Sequence, residues 1–164
     1  PPDAGPRIAN FYQRLSHNIM KIEQAQAADY QALIAIWEAS VRATHHFLQE
    51  ADIIALKPLI LEHYFAAVDL VCARGEEEIA GFCGVHDGNI EMLFIAPEAR
   101  GSGVGRLLVA YAINRQGARR VDVNEQNAQA LGFYQHLGFG VTGRSPLDGQ
   151  GKPYPLLHMA LAAE

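Results

Sequence analysis

A glycine-rich segment, Arg100-Gly-Ser-Gly-Val-Gly105-Arg106, is the part of the sequence best suited to bind a ligand. It joins a predicted strand to a predicted helix, so unpaired N–H groups at the helix start would face the segment, and the helix dipole would add positive potential there. Glycines also let the backbone approach a ligand closely. The segment therefore predicts an anion site, in which a pyrophosphate could accept several N–H groups at once.

The spacing of these glycines decides which nucleotide-binding motifs can apply. A P-loop ends in GK[ST], but Gly105 is followed by Arg106 and Leu107. A dinucleotide fingerprint needs the spacing GxGxxG, and the third required glycine is replaced by Arg106. Both motifs are excluded. A glycine-rich turn without any ligand remains the alternative.

The segment instead resembles the R/Q-x-x-G-x-G/A motif of the GNAT superfamily of acetyltransferases, with Arg100, Gly103 and Gly105 at the three defined positions. The sequence on both sides is similar to the same family, because 91–97 resembles its fourth strand and 124–139 the motif after the glycine segment. Several further stretches resemble the YjaB-like subgroup. The resemblance implies that the segment binds the pyrophosphate of coenzyme A and that acetyl-CoA is the cosubstrate, with no metal ion.

The same resemblance implies which residues contact the cofactor. Backbone groups of the fourth strand are expected to hold the pantetheine amides and to polarise the acetyl carbonyl. Asn127 is expected to bind the cofactor or to cap the helix that begins after it, and these roles are compatible. The residues assigned to the cofactor are Phe94, Ile95, Ala96, Arg100, Gly101, Ser102, Gly103, Val104, Gly105, Arg106, Asn127 and Tyr134.

Acetyl transfer to an amine needs groups that move protons. An alkyl amine with a pKa near 10 is almost wholly protonated at neutral pH, so a base must accept its proton. Tyr134 matches the tyrosine that approaches the sulfur in the family and is expected to donate a proton to the departing thiolate. Simple packing of this aromatic ring in the core is the alternative role.

Two residues compete for the role of the base. Glu91 lies at the position of a family glutamate, and strand alternation predicts that it shares a face with Leu93 and Ile95. His45 is the rival, because an imidazole titrates near neutrality and the residue lies in the region where the family forms its acceptor site. Tyr154, which is flanked by two prolines, is expected to line the same acceptor cleft and to face His45 across it.

The hydrophobic pattern predicts the elements that position these residues. Asp29 is the expected N-cap of a first helix, and Pro58 is expected to bend or divide a second one. The pair Asp87-Gly88 predicts a tight hairpin. Helices are predicted to begin at 30, 51, 104 and 128, and strands over 20–23, 69–73, 79–85, 90–95, 120–123, 139–145 and 154–161. The resemblance makes this an α/β GNAT fold: a mixed, mostly antiparallel sheet of about six or seven strands flanked by helices, with strands four and five splayed at the acetyl-CoA site.

The composition excludes several classes of protein. The 164 residues suit one domain, and 13 basic against 18 acidic side chains leave a net charge of -5, without the basic surface that nucleic-acid binding requires. No apolar stretch is long enough to span a membrane, so we expect a cytoplasmic protein without membrane partners. Cys72 and Cys83 lack metal-site spacing and are expected to be buried free thiols.

Residues 1–19 differ abruptly in composition from the remainder of the chain, and we expect them to be a vector-derived leader before a single domain over 20–164. The predicted activity is transfer of an acetyl group from acetyl-CoA to a primary amine of a small molecule, peptide or protein, by direct attack on the thioester. A non-catalytic acyl-CoA-binding module is the alternative. A longer acyl group, and a monomer or a homodimer, also remain open.

Overall fold

A computed structural model describes residues 20–162, so the predicted leader lies outside the described residues. The strands are β1 (Lys21–Gln24), β2 (Asp69–Arg74), β3 (Ile79–His86), β4 (Asn89–Ile95), β5 (Arg120–Asn124), β6 (Phe139–Ser145) and β7 (Leu156–Leu161). The helices are α1 (Tyr30–Thr44), α2 (Glu50–Leu59), α3 (Val104–Arg115) and α4 (Ala128–His136). The predicted order of elements is confirmed.

The strands form one seven-stranded sheet in the order β1-β2-β3-β4-β5-β7-β6. All neighbours are antiparallel except β4 and β5, which are parallel. The turn between β3 and β4 has positive φ at both Asp87 and Gly88, as the predicted hairpin requires. The α/β class and the mixed, mostly antiparallel sheet are therefore confirmed.

Each face of the sheet carries a hydrophobic cluster. On one face α3 and α4 pack against the sheet, and on the other α1 and α2 do so. The first cluster contains Cys83, Leu108 and Met159, and the second contains Leu33, Trp37, Phe65, Cys72 and Phe82. Both cysteines are buried and free, as predicted. No helix of the described range is both long and apolar enough for a membrane span.

Two helix predictions need correction. Asp29 is the N-cap residue of α1 by position, but its side chain makes no capping hydrogen bond there; its carboxylate instead accepts the Gln26 N–H at 2.8 Å and so closes the short 3-10 turn Ala27–Asp29. Pro58 does not divide the second helix, which continues to Leu59 and then widens into a π-helical turn over Ile60–Tyr64, while the expected bend at Pro58 stays a prediction. In both cases the neighbouring turn, which the hydrophobic pattern does not reveal, determines the local geometry.

The functionally important irregularity of the sheet lies between β4 and β5. These strands pair only through Asn89 with Arg120 and Ile90 with Val121. Beyond these pairs, no strand of the described residues pairs with the β5-facing edge of β4, so the two strands diverge. The predicted splay of strands four and five is thereby confirmed, and it creates a cleft in the sheet.

Candidate active site

A cleft of about 700 Å³ lies where β4 and β5 separate. The end of β4, the glycine segment, α4 and the end of α1 form its walls. It brings together most of the residues that the sequence predicts for the site: His45, Phe94, Ile95, Arg100, Gly101, Gly103, Val104, Gly105, Arg106, Asn127 and Tyr134. It also contains residues that sequence analysis missed, namely Ser40, Thr44, Leu93, Ala99, Gln129, Ala130, Gly132, Phe133 and His136.

The start of α3 presents backbone donors to this cleft. Leu107 donates its N–H to the Gly103 carbonyl at 3.1 Å, so the amides of the three preceding residues have no acceptor within the helix. Gly103 has a φ of 91°, in the left-handed region that favours glycine. A Cβ on Gly105 would lie 3.3 Å from the Phe133 ring, so the helix start and α4 approach closely only because this side chain is absent.

These donors suit a pyrophosphate group. The positive end of the α3 dipole adds to the charges of Arg100 and Arg106, which line the same cleft. Arg100 is also hydrogen-bonded to Gln129 at the start of α4, so its guanidinium is held at the cleft wall. The length of the cleft beyond this anion site runs along the open edge of β4, where a chain with amide groups could add as a further strand.

Two predicted cofactor contacts, Ala96 and Ser102, lie outside the cleft. Ala96 is buried, donates its N–H to the Ala80 carbonyl at 2.8 Å and accepts the Ala99 N–H at 2.8 Å. The Ser102 hydroxyl donates to the Ala99 carbonyl, which also accepts the Ser102 N–H at 3.2 Å. Ala96 therefore uses its N–H to pair with β3, and Ser102 uses both donors to fold the segment back on the 3-10 turn Pro97–Ala99, so neither residue has a donor free for a cofactor.

Tyr134 lies on the buried side of α4 and lines the cleft. Its ring packs edge-on against Phe133 at 5.1 Å and Phe139 at 5.5 Å between centroids. Its hydroxyl has no hydrogen-bond partner among residues 20–162. Burial, with a smaller effect of Cys83, raises the pKa of Tyr134 well above its usual range, so the hydroxyl keeps its proton at neutral pH and can donate it.

His45 lies directly after α1, with its imidazole ring centroid 6.3 Å from that of Phe94 on β4. Burial, and to a lesser degree the neighbouring His46, lowers the pKa of His45 below its ordinary value of 6.5. The imidazole is therefore neutral at pH 7 and able to accept a proton. Its place in the cleft wall puts this acceptor beside the open end of the sheet.

Glu91 is exposed and is not one of the residues that line the cleft. The pairing register shifts here, since Val85 pairs with Ile90 and Gly84 with Met92, which leaves Glu91 as the extra residue of a bulge. Ile90 consequently packs in the same cluster as Leu93 and Ile95, which regular alternation would not allow. The bulge thus changes the side on which Ile90 packs, whereas no contact assigns Glu91 to a face, so its predicted place beside Leu93 and Ile95 stays a prediction.

Contrary to the prediction, Tyr154 is not one of the residues that line the cleft with His45, although the ring of Phe47 packs against both side chains. The ring centroid of Phe47 is 5.3 Å from that of His45 and 6.0 Å from that of Tyr154. The Tyr154 hydroxyl donates to Asp52 Oδ2 at 2.6 Å, and Asp52 also forms a salt bridge with Lys152. The loop between α1 and α2 and the loop between β6 and β7 thus converge, although Tyr154 itself does not line the cleft.

Asn127 is the N-cap of α4, with its Oδ1 accepting the Ala130 N–H at 3.0 Å. The predicted capping role is thus confirmed. A separate polar row, also missed from the sequence, crosses three strands outside the cleft: Ser145 Oγ lies 2.6 Å from His158 Nε2, and His158 Nδ1 lies 2.6 Å from Asp122 Oδ1. These residues become neighbours only because β7 inserts between β5 and β6.

Comparison with known proteins identifies the type of fold. A family profile described as an acetyltransferase (GNAT) domain matches residues 62–141. The chain is 40% identical over 141 residues to the peptidyl-lysine N-acetyltransferase YjaB of Salmonella typhimurium, a match that covers 86% of this chain and 97% of the relative.

Solved structures agree with this result. The solution structure of apo YjaB from Escherichia coli has a TM-score of 0.79 and 40% identity, and the match covers 88% of this chain and 99% of that one. The PaiA N-acetyltransferase of Thermoplasma acidophilum, solved in complex with coenzyme A, matches with a TM-score of 0.69 and 18% identity, over 87% of this chain and 99% of that one. The latter similarity concerns the fold alone.

Proposed function

Because this chain belongs to the GNAT acetyltransferases and transfers an acetyl group from acetyl-CoA to an amine, we propose that its acceptor is the ε-amino group of lysine in peptides or proteins. Relatives that are 40% identical are named peptidyl-lysine N-acetyltransferases. One observation supports the proposal: an anion site, the protonated Tyr134 and the neutral His45 line the same cleft.

The cleft has the groups that coenzyme A requires. The free N–H groups at the start of α3, with Arg100 and Arg106, would hold the pyrophosphate. The open edge of β4 at Phe94 and Ile95 would hold the pantetheine amides by backbone hydrogen bonds. When bound, acetyl-CoA supplies an acyl group that is activated as a thioester.

The two titratable side chains of the cleft would then divide the proton transfers between them. His45, neutral at pH 7, accepts the proton of the attacking amine, and Tyr134 donates a proton to the departing sulfur. Backbone N–H groups at the open edge of β4 stabilise the negative charge that develops on the carbonyl oxygen. The histidine is placed better than Glu91 for this role, because it lines the cleft and Glu91 does not.

The acceptor side of the cleft suits a lysine side chain. Phe47 and Phe94 flank the His45 ring, at centroid distances of 5.3 and 6.3 Å. Aromatic rings can cover the apolar four-carbon stem of lysine while its amine reaches the imidazole. The same apolar surroundings disfavour the ammonium form and so promote loss of its proton.

The acceptor class can be tested with two matched peptides. One has a blocked N-terminus and a single lysine, and the other carries arginine in place of that lysine. We expect thiol release from acetyl-CoA, and a mass gain of one acetyl group, with the lysine peptide only. Turnover with small free amines, or with the arginine peptide when its N-terminus is left unblocked, but not with the blocked lysine peptide, would contradict the lysine proposal.

The base assignment predicts the pH dependence of two variants. The wild-type kcat/KM should fall as the pH drops through the lowered pKa of His45, because the protonated imidazole cannot accept a proton. His45→Ala should lower kcat/KM by about 10²-fold near pH 7 and remove this acidic limb. Glu91→Gln should retain the limb. If Glu91→Gln loses the limb while His45→Ala keeps it, the glutamate is the base.

A further inference from the structure

A chain of hydrogen bonds runs from α1 through the His45 ring to the start of α4. The Thr44 hydroxyl lies 2.8 Å from the Ser40 carbonyl oxygen and 2.7 Å from His45 Nδ1. On the other side of the ring, His45 Nε2 lies 3.5 Å from Asn127 Nδ2. Thr44, His45 and Asn127 all line the cleft. We call these three residues the His45 chain.

The end of the chain at Thr44 determines which ring nitrogen carries the proton. A hydroxyl has a single proton, and the Ser40 carbonyl can only accept, so Thr44 must donate its proton to that carbonyl. The hydroxyl can then only accept a hydrogen bond from His45 Nδ1. Nδ1 therefore carries the proton of the neutral imidazole, and Nε2 carries the lone pair.

The end at Asn127 gives the same assignment independently. Its Oδ1 accepts the Ala130 N–H at 3.0 Å as the cap of α4, so the side-chain amide cannot be turned round without losing the cap. The group that faces His45 Nε2 is accordingly the NH2 donor, which requires an acceptor. Both ends of the chain thus place the lone pair on Nε2.

We propose that Thr44 and Asn127 are positioning residues, which hold His45 as the Nδ1–H tautomer with its Nε2 lone pair beside the cap of α4. This proposal rests on the proposed function only in that His45 is the base there. The Asn127 side chain connects the two halves of the site, because it caps α4 on the cofactor side and also contacts the His45 imidazole on the acceptor side.

The charges around the ring favour its neutral form. His46 follows His45 in the sequence. The other titratable or charged side chains that line the cleft are Arg100, Arg106, Tyr134 and His136. None of these is a carboxylate that would stabilise an imidazolium, and burial, with a smaller effect of His46, lowers the pKa of His45. A carboxylate introduced next to Nε2 should therefore change the behaviour of His45 strongly.

The tautomer can be measured without turnover, from the nitrogen chemical shifts of ¹⁵N-labelled His45. We expect Nδ1–H in the wild type and in Thr44→Ser, which keeps the hydroxyl. Thr44→Val, which removes it, should populate the Nε2–H form. A wild-type ring that is protonated on Nε2 would overturn the proposal whatever the variants do.

Asn127→Asp provides the second test, because aspartate also caps helices well but presents a carboxylate instead of a donor. In Asn127→Asp the pKa of His45, followed by the same nitrogen signals, should rise by about one unit or more. Asn127→Ser can still cap the helix but has no carboxylate, so it should not raise this pKa. An unchanged pKa in Asn127→Asp would contradict the contact. If the pKa rises but the acidic limb of kcat/KM stays in place, the positioning proposal stands and His45 is not the base.

Discussion

Tyr134→Phe is expected to lower kcat by about 10² to 10⁴-fold, because it removes a proton donor from the departing sulfur. The buried hydroxyl keeps its proton at neutral pH and has no hydrogen-bond partner among the described residues. Phenylalanine fills the same space between Phe133 and Phe139. The variant should therefore fold normally and bind acetyl-CoA with nearly unchanged affinity.

Single-turnover thiol release and calorimetry with acetyl-CoA separate this chemical role from packing. Phe139→Leu is the matched control, because Phe139 contacts the Tyr134 ring at 5.5 Å but does not line the cleft. We expect the control to lose stability while retaining kcat. If Tyr134→Phe keeps the wild-type single-turnover rate, Tyr134 is a packing residue.

Gly103→Glu should weaken acetyl-CoA binding by about 100-fold or more, since a carboxylate would enter the anion site and repel the pyrophosphate. Part of the loss could come from strain, because Gly103 has a φ of 91°. Gly117→Glu controls for that effect: its φ is 71°, it lies outside the cleft, and a Cβ there meets nothing within 4 Å. Calorimetry should show normal affinity for this control.

The comparison of Gly103→Glu with Gly117→Glu tests whether the glycine segment binds the pyrophosphate. A folded Gly103→Glu variant with wild-type affinity would show that the pyrophosphate does not bind at the start of α3. Equal loss of affinity in both variants would attribute the effect to backbone strain rather than to the added charge.

The elements of this fold arise from short-range patterns in the sequence. Helical spacing from Tyr30 to Val41 predicts α1, and Asp87-Gly88 predicts the turn before β4, because backbone conformation there depends on adjacent residues. The anion site is equally local, since Gly103 and Gly105 act within one segment. These features could be predicted without knowledge of the tertiary structure.

The rest of the site depends on contacts between distant parts of the chain. The bulge at Glu91 depends on how β4 pairs with β3, and Ala96 loses its free donor to Ala80 of the neighbouring strand. Asn127 meets His45 although 82 positions separate them. Residue type and local spacing do not reveal such contacts, so the tautomer of His45 could be inferred only from the structure.

Asp52 has a consequence for attempts to redirect this enzyme to other acceptors. Asp52 lies in the first turn of α2, and its carboxylate binds Lys152 and Tyr154 of the loop between β6 and β7. A chimera that receives a foreign segment between β6 and β7, but keeps the native start of α2, would leave this carboxylate without its salt-bridge partner Lys152 and its hydroxyl donor Tyr154. The two segments should therefore be exchanged together as one cassette, while the cofactor half is left untouched.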